Sequence, residues 1–342
     1  MPESPSKFIK NPSVACNRSE NSAVRFISID AAHEGQRLDN FLLSVTKGVP
    51  KSHIYRIVRG GEVRVNKKRA TVSQRLNLGD CVRIPPMRMA QREAKAAARS
   101  FEEGELSILF EDRDLLIVDK PAGLACHGGS GVSFGLIERL RATRPEAPML
   151  ELAHRLDRDT SGALVLCKTR KALVRFQEAI REGNVHKFYR LLVVGDWVNE
   201  REHVKAPLAK YTLASGERRV RVDQEKGLFS HTTFTLLHRF GPVSYLEAEL
   251  KTGRTHQIRV HAASVGFPLV GDSKYGDYAM NDSIAKGSLG VPFKRLYLHS
   301  YRLAFTHPVS GSPVEIRCPE PKECECLLTA LKSKGKVDDT AI

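Results

Sequence analysis

The chain has 342 residues, of which 41% are hydrophobic and 27% are charged. This length exceeds the roughly 250–300 residues at which single hydrophobic cores stop growing, so we expect two domains. No apolar run approaches the ~18 residues that a transmembrane helix needs, and the N-terminal segment lacks the apolar core of a secretory signal; we therefore expect a cytoplasmic protein that does not bind a membrane.

Lysine and arginine outnumber aspartate and glutamate by 54 to 39, which gives a formal net charge of +15. Such an excess attracts polyanions, and the lack of a basic helix with an aromatic face favours nucleic acid over a membrane surface. The seven cysteines have no framework spacing, so we expect reduced thiols. Cys324 and Cys326 form a C-x-C pair without further ligands at a regular spacing, so we predict no metal site there.

Residues 1–22 are rich in Ser, Asn, Pro and Lys, a composition that predicts a disordered tail. Residues 23–86 predict a small α/β module. Its first helix follows from apolar residues at helical spacing: Leu38, Phe41, Leu42 and Val45. The outer face of that helix is expected to carry three polar residues: Arg37, Asp39 and Asn40.

The second helix of this module is predicted from Ser52, as N-cap, to the pair Gly60–Gly61. A strand with alternating residues follows and turns at Asn66–Lys67–Lys68. Cations cluster on the helix and the hairpin: Lys51, Arg56, Arg59, Arg64, Lys67 and Lys68. A surface that only solubilises would mix both signs. We therefore expect these residues to bind RNA, with a solvated surface as the alternative.

Residues 87–104 are rich in Ala and charge and predict a linker. A second domain is expected over residues 105–332, with a short tail over 333–342. Its strand candidates outnumber the helices between them, which argues against a regularly alternating parallel sheet. The sequence predicts an α+β protein with a mixed, largely antiparallel sheet in this domain.

The densest group of ionisable residues is the run HRLDRDTSG, residues 154–162, which leads into the apolar stretch ALVLC. In an extended segment, Arg155 and Asp157 share one face. Asp157 would then face a cleft with an arginine beside it. A salt-bridged loop that supports the following strand is the alternative.

The stretch TGRTHQIRVHAASVG predicts a helix that Thr255 caps and that ends at Gly266. Arg259 lies off its apolar stripe, and its planar fork suits a carboxylate. His256 and His261 are five residues apart, a spacing that does not suit a shared metal ion on a helix, so we expect both to be hydrogen-bonded packing residues. In HKFYRLLVV, alternation places Tyr189 opposite Arg190, where it is either a core residue or a stacking platform for a base.

These motifs carry a resemblance. The segments RLDNFL and SHIYRIVRGGEVRVNKKR resemble the S4 RNA-binding domain. KPAG, HRLDRDTSG, the KFY step and TGRTHQIRVHA, in this order, resemble the pseudouridine synthases that modify large-subunit ribosomal RNA, over about residues 24–320. Cys126, where the family more often has an aliphatic residue, is one of few departures.

The resemblance implies that Asp157 is the catalytic aspartate and that Arg155, Tyr189 and Arg259 support the active site. It also implies isomerisation of uridine in the large-subunit (23S) RNA by a monomer, without cofactor or metal. Burial raises the pKa of a carboxyl group, whereas an arginine ~4 Å away favours its ionised form by about 4 kcal/mol. Arg259 is therefore expected to keep Asp157 charged, and Tyr189 to stack on the base and help move its C5 proton.

The target base must be flipped out of structured RNA at a cost of a few kcal/mol, and Arg155 is expected to fill the vacated space. Three alternatives stay open: a non-catalytic RNA-binding ribosome assembly factor, a pseudouridine synthase that acts on transfer RNA, and a carboxylate-dependent RNA hydrolase or glycosidase. The last would need a partner acid such as Asp159, or a set of metal ligands.

Overall fold

The structure, a computed structural model, describes residues 23–46, 49–87, 101, 105–128 and 134–338. The chain divides into two compact units, Met1–Lys95 and Ala96–Ile342. The tail expected over residues 1–22 lies outside the described residues, as does most of the linker expected over 87–104. Across the described ranges, none of the helices combines the length and apolar character that a bilayer crossing would need.

The described part of the N-terminal unit contains two helices and an antiparallel sheet with strand order β1-β4-β2-β3. Its elements in chain order are β1 (Arg25–Ser28), α1 (Leu38–Val45), α2 (Lys51–Arg59), β2 (Arg64–Val65), β3 (Lys68–Arg69) and β4 (Cys81–Ile84). The apolar sides of both helices pack with the strands into one core. Both predicted helices are confirmed.

Two details of this unit differ from the prediction. Helix α2 begins at Lys51 after Pro50, and no side chain caps it; the fixed backbone angle of Pro50 starts the helix, so Ser52 as N-cap is wrong. Asp39 is not on an outer face but buried. Its carboxylate accepts hydrogen bonds from Arg37 and from the Tyr55 hydroxyl at 2.8 Å, because α2 packs against this side of α1.

The predicted hairpin turn is confirmed at Asn66 and Lys67, whose φ angles of 51° and 65° are both positive. Two successive residues in this region are typical of the two-residue turn whose twist matches paired strands. Val65 pairs with Lys68 on either side of it. The turn therefore presents Lys67 at the tip of the hairpin.

The described part of the C-terminal unit is built on a ten-stranded sheet whose main path is β10-β13-β14-β9-β15-β8-β6-β5, with β16 beside β15 and β7 beside β8. Its strands are β5 (Ile108–Glu111), β6 (Leu115–Lys120), β7 (Glu151–Leu152), β8 (Ser161–Cys167), β9 (His186–Val194), β10 (Arg201–Lys205), β11 (Leu208–Thr212), β12 (Arg218–Val222), β13 (His231–Arg239), β14 (Val243–Leu250), β15 (Leu298–Thr306) and β16 (Pro313–Arg317). Among the pairs of described strands, only β15 with β8 is parallel, and β11 pairs with β12 apart from the large sheet. The predicted mixed, largely antiparallel sheet is confirmed.

Five helices accompany this sheet in the described residues: α3 (Leu136–Thr143), α4 (Arg170–Glu182), α5 (Gln257–Ser264), α6 (Tyr278–Ala285) and α7 (Lys322–Asp338). Side-chain alternation along β9 divides the packing: Leu191 belongs to the same core as Ile258 of α5, whereas Leu192 belongs to a second core with Leu327 of α7. Helix α7 was not predicted from the sequence, and it continues to Asp338, into the segment expected to be a tail. Cys324 is buried in the second core and Cys326 is exposed.

Candidate active site

A cleft of about 780 Å³ opens in the C-terminal unit, and all four residues expected at an active site line it: Arg155, Asp157, Tyr189 and Arg259. They come from the loop before β8, from β9 and from α5. These segments are far apart in the chain, so the fold itself assembles the group. Within the described ranges, no three His, Cys, Asp or Glu side chains converge so that they could hold a metal ion.

Asp157 and Arg259 lie close together in this cleft. The Nη1 atom of Arg259 is 3.7 Å from Oδ2 of Asp157, and the Asp157 side chain is 27% exposed. One edge of the carboxylate therefore faces the cleft while the other faces a guanidinium. The Arg259 guanidinium therefore lies within ion-pair distance of a carboxylate that the cleft exposes.

The sequence suggested that the planar fork of Arg259 pairs with Asp157, but the fork does not clamp that carboxylate. It clamps Asp272, with Nε–Oδ2 and Nη2–Oδ1 distances of 2.7 and 2.6 Å. Burial opposes the ionisation of Asp272, but the hydrogen bonds from Arg259 outweigh it and lower the pKa of Asp272 below its ordinary value. Asp272 thus fixes the plane of the guanidinium, and the remaining nitrogen points to Asp157.

His256 also takes part in the site. It adopts the left-handed conformation, with φ 53°, directly before α5, which is costly for a residue with a Cβ. Its Nδ1 lies 2.8 Å from the Tyr275 hydroxyl, and its Nε2 lies 4.0 Å from Oδ2 of Asp157. Burial lowers the pKa of His256. Since α5 begins at Gln257 with His256 at its N-cap, the expectation that Thr255 caps the helix is wrong.

The histidine further along α5 has the expected packing role. His261 is buried, with Nδ1 2.9 Å from the Thr232 hydroxyl and Nε2 2.9 Å from the Ala206 carbonyl oxygen. These two partners hold its ring on either side. The two histidines of the motif therefore differ: His261 joins α5 to the sheet, and His256 faces the carboxylate.

Tyr189 is 95% buried and belongs to the main core while its side chain lines the cleft. Arg190 is on the opposite side of the sheet, with its guanidinium carbon 4.2 Å from the centre of the Tyr301 ring, as the alternation predicted. Burial raises the pKa of Tyr189. Its phenol therefore stays protonated near neutral pH and offers a flat face and a hydrogen-bond donor.

The loop that carries Asp157 is hydrogen-bonded to a lysine that the sequence analysis did not single out. Lys120, at the end of β6, is fully buried. Its Nζ donates to the carbonyl oxygens of Pro121, Leu124 and Arg158 at 2.9, 2.7 and 3.0 Å. Burial lowers the pKa of Lys120 to about 8. The contact to Arg158 fixes the backbone immediately after Asp157.

Two further contacts hold the same loop. Gly162 has a φ of 111°, and a Cβ there would lie 2.3 Å from the carbonyl oxygen of Ser300, so only glycine lets β8 approach β15 this closely. The Cys126 thiol donates to the carbonyl oxygen of Leu156 at 3.2 Å and accepts from its N–H at 3.3 Å. The departure from the family pattern at Cys126 thus lies against the residue before Asp157.

The remaining polar residues of the run are placed differently. Arg155 is exposed and lines the cleft. Asp159, which a second acid–base mechanism would need, pairs instead with Arg158, at an Nε–Oδ1 distance of 3.0 Å. It is not among the residues that line the cleft.

The six cations expected to bind RNA are all exposed in the N-terminal unit. Lys51, Arg56 and Arg59 of α2 surround Tyr55 at a shallow surface depression. The Lys51 ammonium is 5.3 Å from the centre of that ring, and the guanidinium carbon of Arg59 is 5.8 Å from it. The other three project from the hairpin of β2 and β3: Arg64, Lys67 and Lys68.

With this geometry in place, comparison with known proteins identifies the class. A model of the RNA pseudouridylate synthase family matches residues 114–264, and a model of the S4 domain matches residues 36–82. The fold resembles that of the human RNA pseudouridylate synthase domain containing 4, with a TM-score of 0.54 and 25% identity over 66% of this chain and 93% of that one. For the human RNA pseudouridylate synthase domain containing 1, the TM-score is 0.53 and the identity 26%, over 68% and 97%.

The chain belongs to the RNA pseudouridylate synthase family, and it is thus an isomerase with an N-terminal S4 domain. It is 48% identical over 321 residues to the ribosomal large subunit pseudouridine synthase C of Salmonella typhi, covering 93% of this chain and all of that protein. The protein of the same name from Escherichia coli K12 is 46% identical over 319 residues, with 92% and 99% covered. The resemblance noted in the sequence is confirmed.

Several residues of the site were missed by sequence reasoning: Lys120, Lys187 and Asp272. Lys120 is the first residue of the KPAG motif, and Lys187, which also lines the cleft, is the first residue of the KFY step. Asp272 follows the apolar pair Leu269–Val270 and a glycine. A lone carboxylate directly after a buried segment is a signal that could have found it, since a buried charge needs a partner.

Proposed function

We propose that this protein converts specific uridines of large-subunit ribosomal RNA to pseudouridine, with Asp157 as the catalytic carboxylate. The observation that carries the proposal is the 3.7 Å approach of the Arg259 guanidinium to Asp157 in an open cleft. The basic S4 domain supports an RNA substrate. The relatives named as large subunit pseudouridine synthases support ribosomal RNA as that substrate.

The reaction breaks the N1–C1′ glycosidic bond of a uridine, turns the uracil and forms a C5–C1′ bond, so the product is an isomer of the substrate. Asp157 either attacks C1′ or assists loss of a ribose proton to give a glycal. Both routes use the carboxylate of Asp157, which lies within ion-pair distance of Arg259. Because Arg259 is held by Asp272, the charge is aligned before the RNA arrives.

The uridine must leave its stack to reach Asp157. Tyr189 presents a buried ring on which the flipped base stacks, a contact of about 1–3 kcal/mol. Arg155, on the exposed side of the cleft, occupies the space that the nucleotide leaves. The six exposed cations of the N-terminal unit bind RNA phosphates, and we expect the protein to act as a cytoplasmic monomer.

The test maps pseudouridines in ribosomal RNA from a strain that lacks this gene, complemented by wild type, Asp157→Asn or Asp159→Asn. Asp157→Asn keeps the shape of the side chain but not its charge. We expect it to lower the rate by about 10³-fold or more, as loss of a catalytic nucleophile does, with RNA affinity retained. Asp159→Asn is the matched control, because that carboxylate pairs with Arg158 outside the cleft, and it should restore the modification.

Other outcomes would point elsewhere. If Asp157→Asn restores every missing pseudouridine, Asp157 is not the catalytic carboxylate. If deletion of the gene removes pseudouridines only from transfer RNA, the proposal that ribosomal RNA is the substrate is wrong. If deletion removes none while subunit assembly is impaired, the protein acts as an assembly factor.

A further inference from the structure

Lys187 stands on β9 two residues before Tyr189, so both side chains lie on the same side of the sheet. It lines the cleft, yet only 8% of the residue is exposed. The ammonium lies beside Gly253, 3.5 Å from where a Cβ would stand at that residue. Gly253 also lines the cleft, and because it has no side chain, that residue does not cover the ammonium.

The charge of Lys187 has no counterpart in the described part of the protein. No carboxylate there lies within ion-pair distance of its Nζ, and no oxygen or nitrogen accepts a hydrogen bond from it. Burial lowers the pKa of Lys187. The other buried cations of the site differ: Lys120 donates to three carbonyl oxygens, and Arg259 has two carboxylates.

A largely buried ammonium without an acceptor in the protein is costly, and such a cost is typical of residues kept for function. A ligand that brings a negative charge would remove it. In RNA the anionic group is the phosphodiester. A uracil carbonyl could accept a hydrogen bond but would leave the charge uncompensated.

We propose that Lys187 is a binding residue for a backbone phosphate of the RNA, next to the nucleotide on which Asp157 acts. This inference rests on the proposed function. Residues two apart on a strand are separated by about 7 Å. One nucleotide can therefore place its base against Tyr189 and a phosphate at Lys187, which fixes the nucleotide at both ends relative to Asp157.

The first experiment compares wild type, Lys187→Met and Lys187→Arg. The probe is an unmodified transcript of large-subunit ribosomal RNA, bound between 50 and 200 mM KCl. Each phosphate contact contributes about 0.7–0.9 to the slope of log affinity against log salt. We expect Lys187→Met to reduce the slope by about that amount, to weaken binding and to raise the melting temperature of the free protein. Lys187→Arg should restore the slope.

The matched control is Lys286→Met, which removes the same formal charge from an exposed position directly after α6, where the lysine pairs with Asp282. It should leave affinity and slope unchanged. An affinity and slope of Lys187→Met equal to those of wild type would overturn the proposal. So would a lower melting temperature together with an unchanged slope, because that combination indicates a structural role.

A second experiment alters the RNA, so it does not depend on how the variants fold. Short RNAs around a mapped target uridine carry one neutral methylphosphonate linkage on its 5′ or its 3′ side. One of the two modified RNAs should bind wild type more weakly than the unmodified RNA does. The same RNA should bind Lys187→Met no more weakly than the unmodified RNA does. If each modified RNA loses the same affinity for wild type as for Lys187→Met, Lys187 does not contact either phosphate.

Failure of this inference is distinguishable from failure of the proposed function. Wild type that forms no pseudouridine in the transcript contradicts the proposed function, whatever the salt slopes are. Wild type that forms pseudouridine while Lys187→Met matches it in affinity, slope and KM contradicts only the role of Lys187.

Discussion

The two units of the protein use the same residue types in opposite ways. On the N-terminal unit, Lys51, Arg56 and Arg59 are exposed side chains along one helix. In the cleft of the C-terminal unit, Arg259 is 3% exposed and is held by Asp272, which is fully buried. One set of cations is screened by solvent and the other is removed from it.

This difference separates affinity from orientation. Exposed cations contribute to RNA binding one by one, and salt weakens each contribution. Removing the partner of a buried, paired cation is strongly destabilising, and at Arg259 the partner Asp272 also determines where the charge points. We therefore expect each substitution of an exposed cation to lower RNA affinity by a small amount. A single substitution at the buried pair should lower stability and rate strongly.

The largest effect is expected from Asp272→Asn, which leaves Arg259 buried beside a neutral partner. Breaking a buried ion pair costs about 3–5 kcal/mol, so the free energy of unfolding should fall by that amount. The rate of pseudouridine formation should fall as well, because Arg259 is no longer aligned on Asp157. Denaturant unfolding and single-turnover rates measure the two effects.

The control for this experiment is Asp282→Asn, which breaks an ion pair with Lys286 in which both side chains are exposed. Exposed pairs contribute about 0–1 kcal/mol, and the rate should not change. A loss of stability for Asp272→Asn no larger than that of the control would contradict the view that burial sets the magnitude.

A smaller effect, on affinity alone, is expected when Lys51, Arg56 and Arg59 are all replaced by alanine. If each contacts one phosphate, the slope of log affinity against log salt should fall by roughly 2 to 3. The rate at saturating RNA should stay that of wild type, because none of the three lines the cleft. Salt titrations and single-turnover rates measured in parallel provide the check.

The same number of charges can be removed from the C-terminal end of α6 and from α7 by replacing three exposed lysines with alanine: Lys286, Lys322 and Lys332. If this triple variant loses as much affinity as the α2 variant, the protein binds RNA by net charge and not through the S4 domain. An α2 variant with wild-type affinity would remove α2 from the RNA interface.

Local patterns predicted much of this organisation. The apolar stripe of α1 and the alternation along β9 depend on neighbours within a few residues, so periodicity found both. The motifs that contain Asp157 and Arg259 are local too, and each could be found in the sequence. The sequence could not predict which acid Arg259 clamps, because Asp272 reaches it only through the tertiary fold.

The missed elements and residues have the same cause. Helix α7 has an apolar side that gains its partners only from the second core on the sheet, and strands β10 to β12 are short and rich in charge. His256 was expected to be a packing residue because its left-handed backbone, which turns it towards Asp157, cannot be deduced from residue type. Lys187 differs from a core-edge lysine only by lacking a partner, which is a property of the assembled cleft.

The smallest effect on stability is expected from substitution of Asp39, a buried carboxylate whose partner is partly exposed. Its side chain is 3% exposed, but that of its partner Arg37 is 42% exposed. The hydrogen bond from Arg37 lowers the pKa of Asp39 to about 2, from 3.8. A lowered pKa contributes stability above pH 4, and this contribution is lost as the pH falls from about 4 to about 2. With solvent screening at Arg37, we expect about 1 kcal/mol.

Urea unfolding of wild type and Asp39→Asn between pH 6 and pH 3 measures this contribution. The difference between the two proteins should be largest near pH 6 and shrink as Asp39 is protonated. Tyr55→Phe is the control, because it removes one hydrogen bond but leaves the pair with Arg37, so most of the pH dependence should remain. Suppose that Asp39→Asn lowers the free energy of unfolding as much as Asp272→Asn does. Burial of only one partner would then be enough to make an ion pair strongly stabilising. The two units would differ in how many partners their charged residues have, and not in how exposed those residues are.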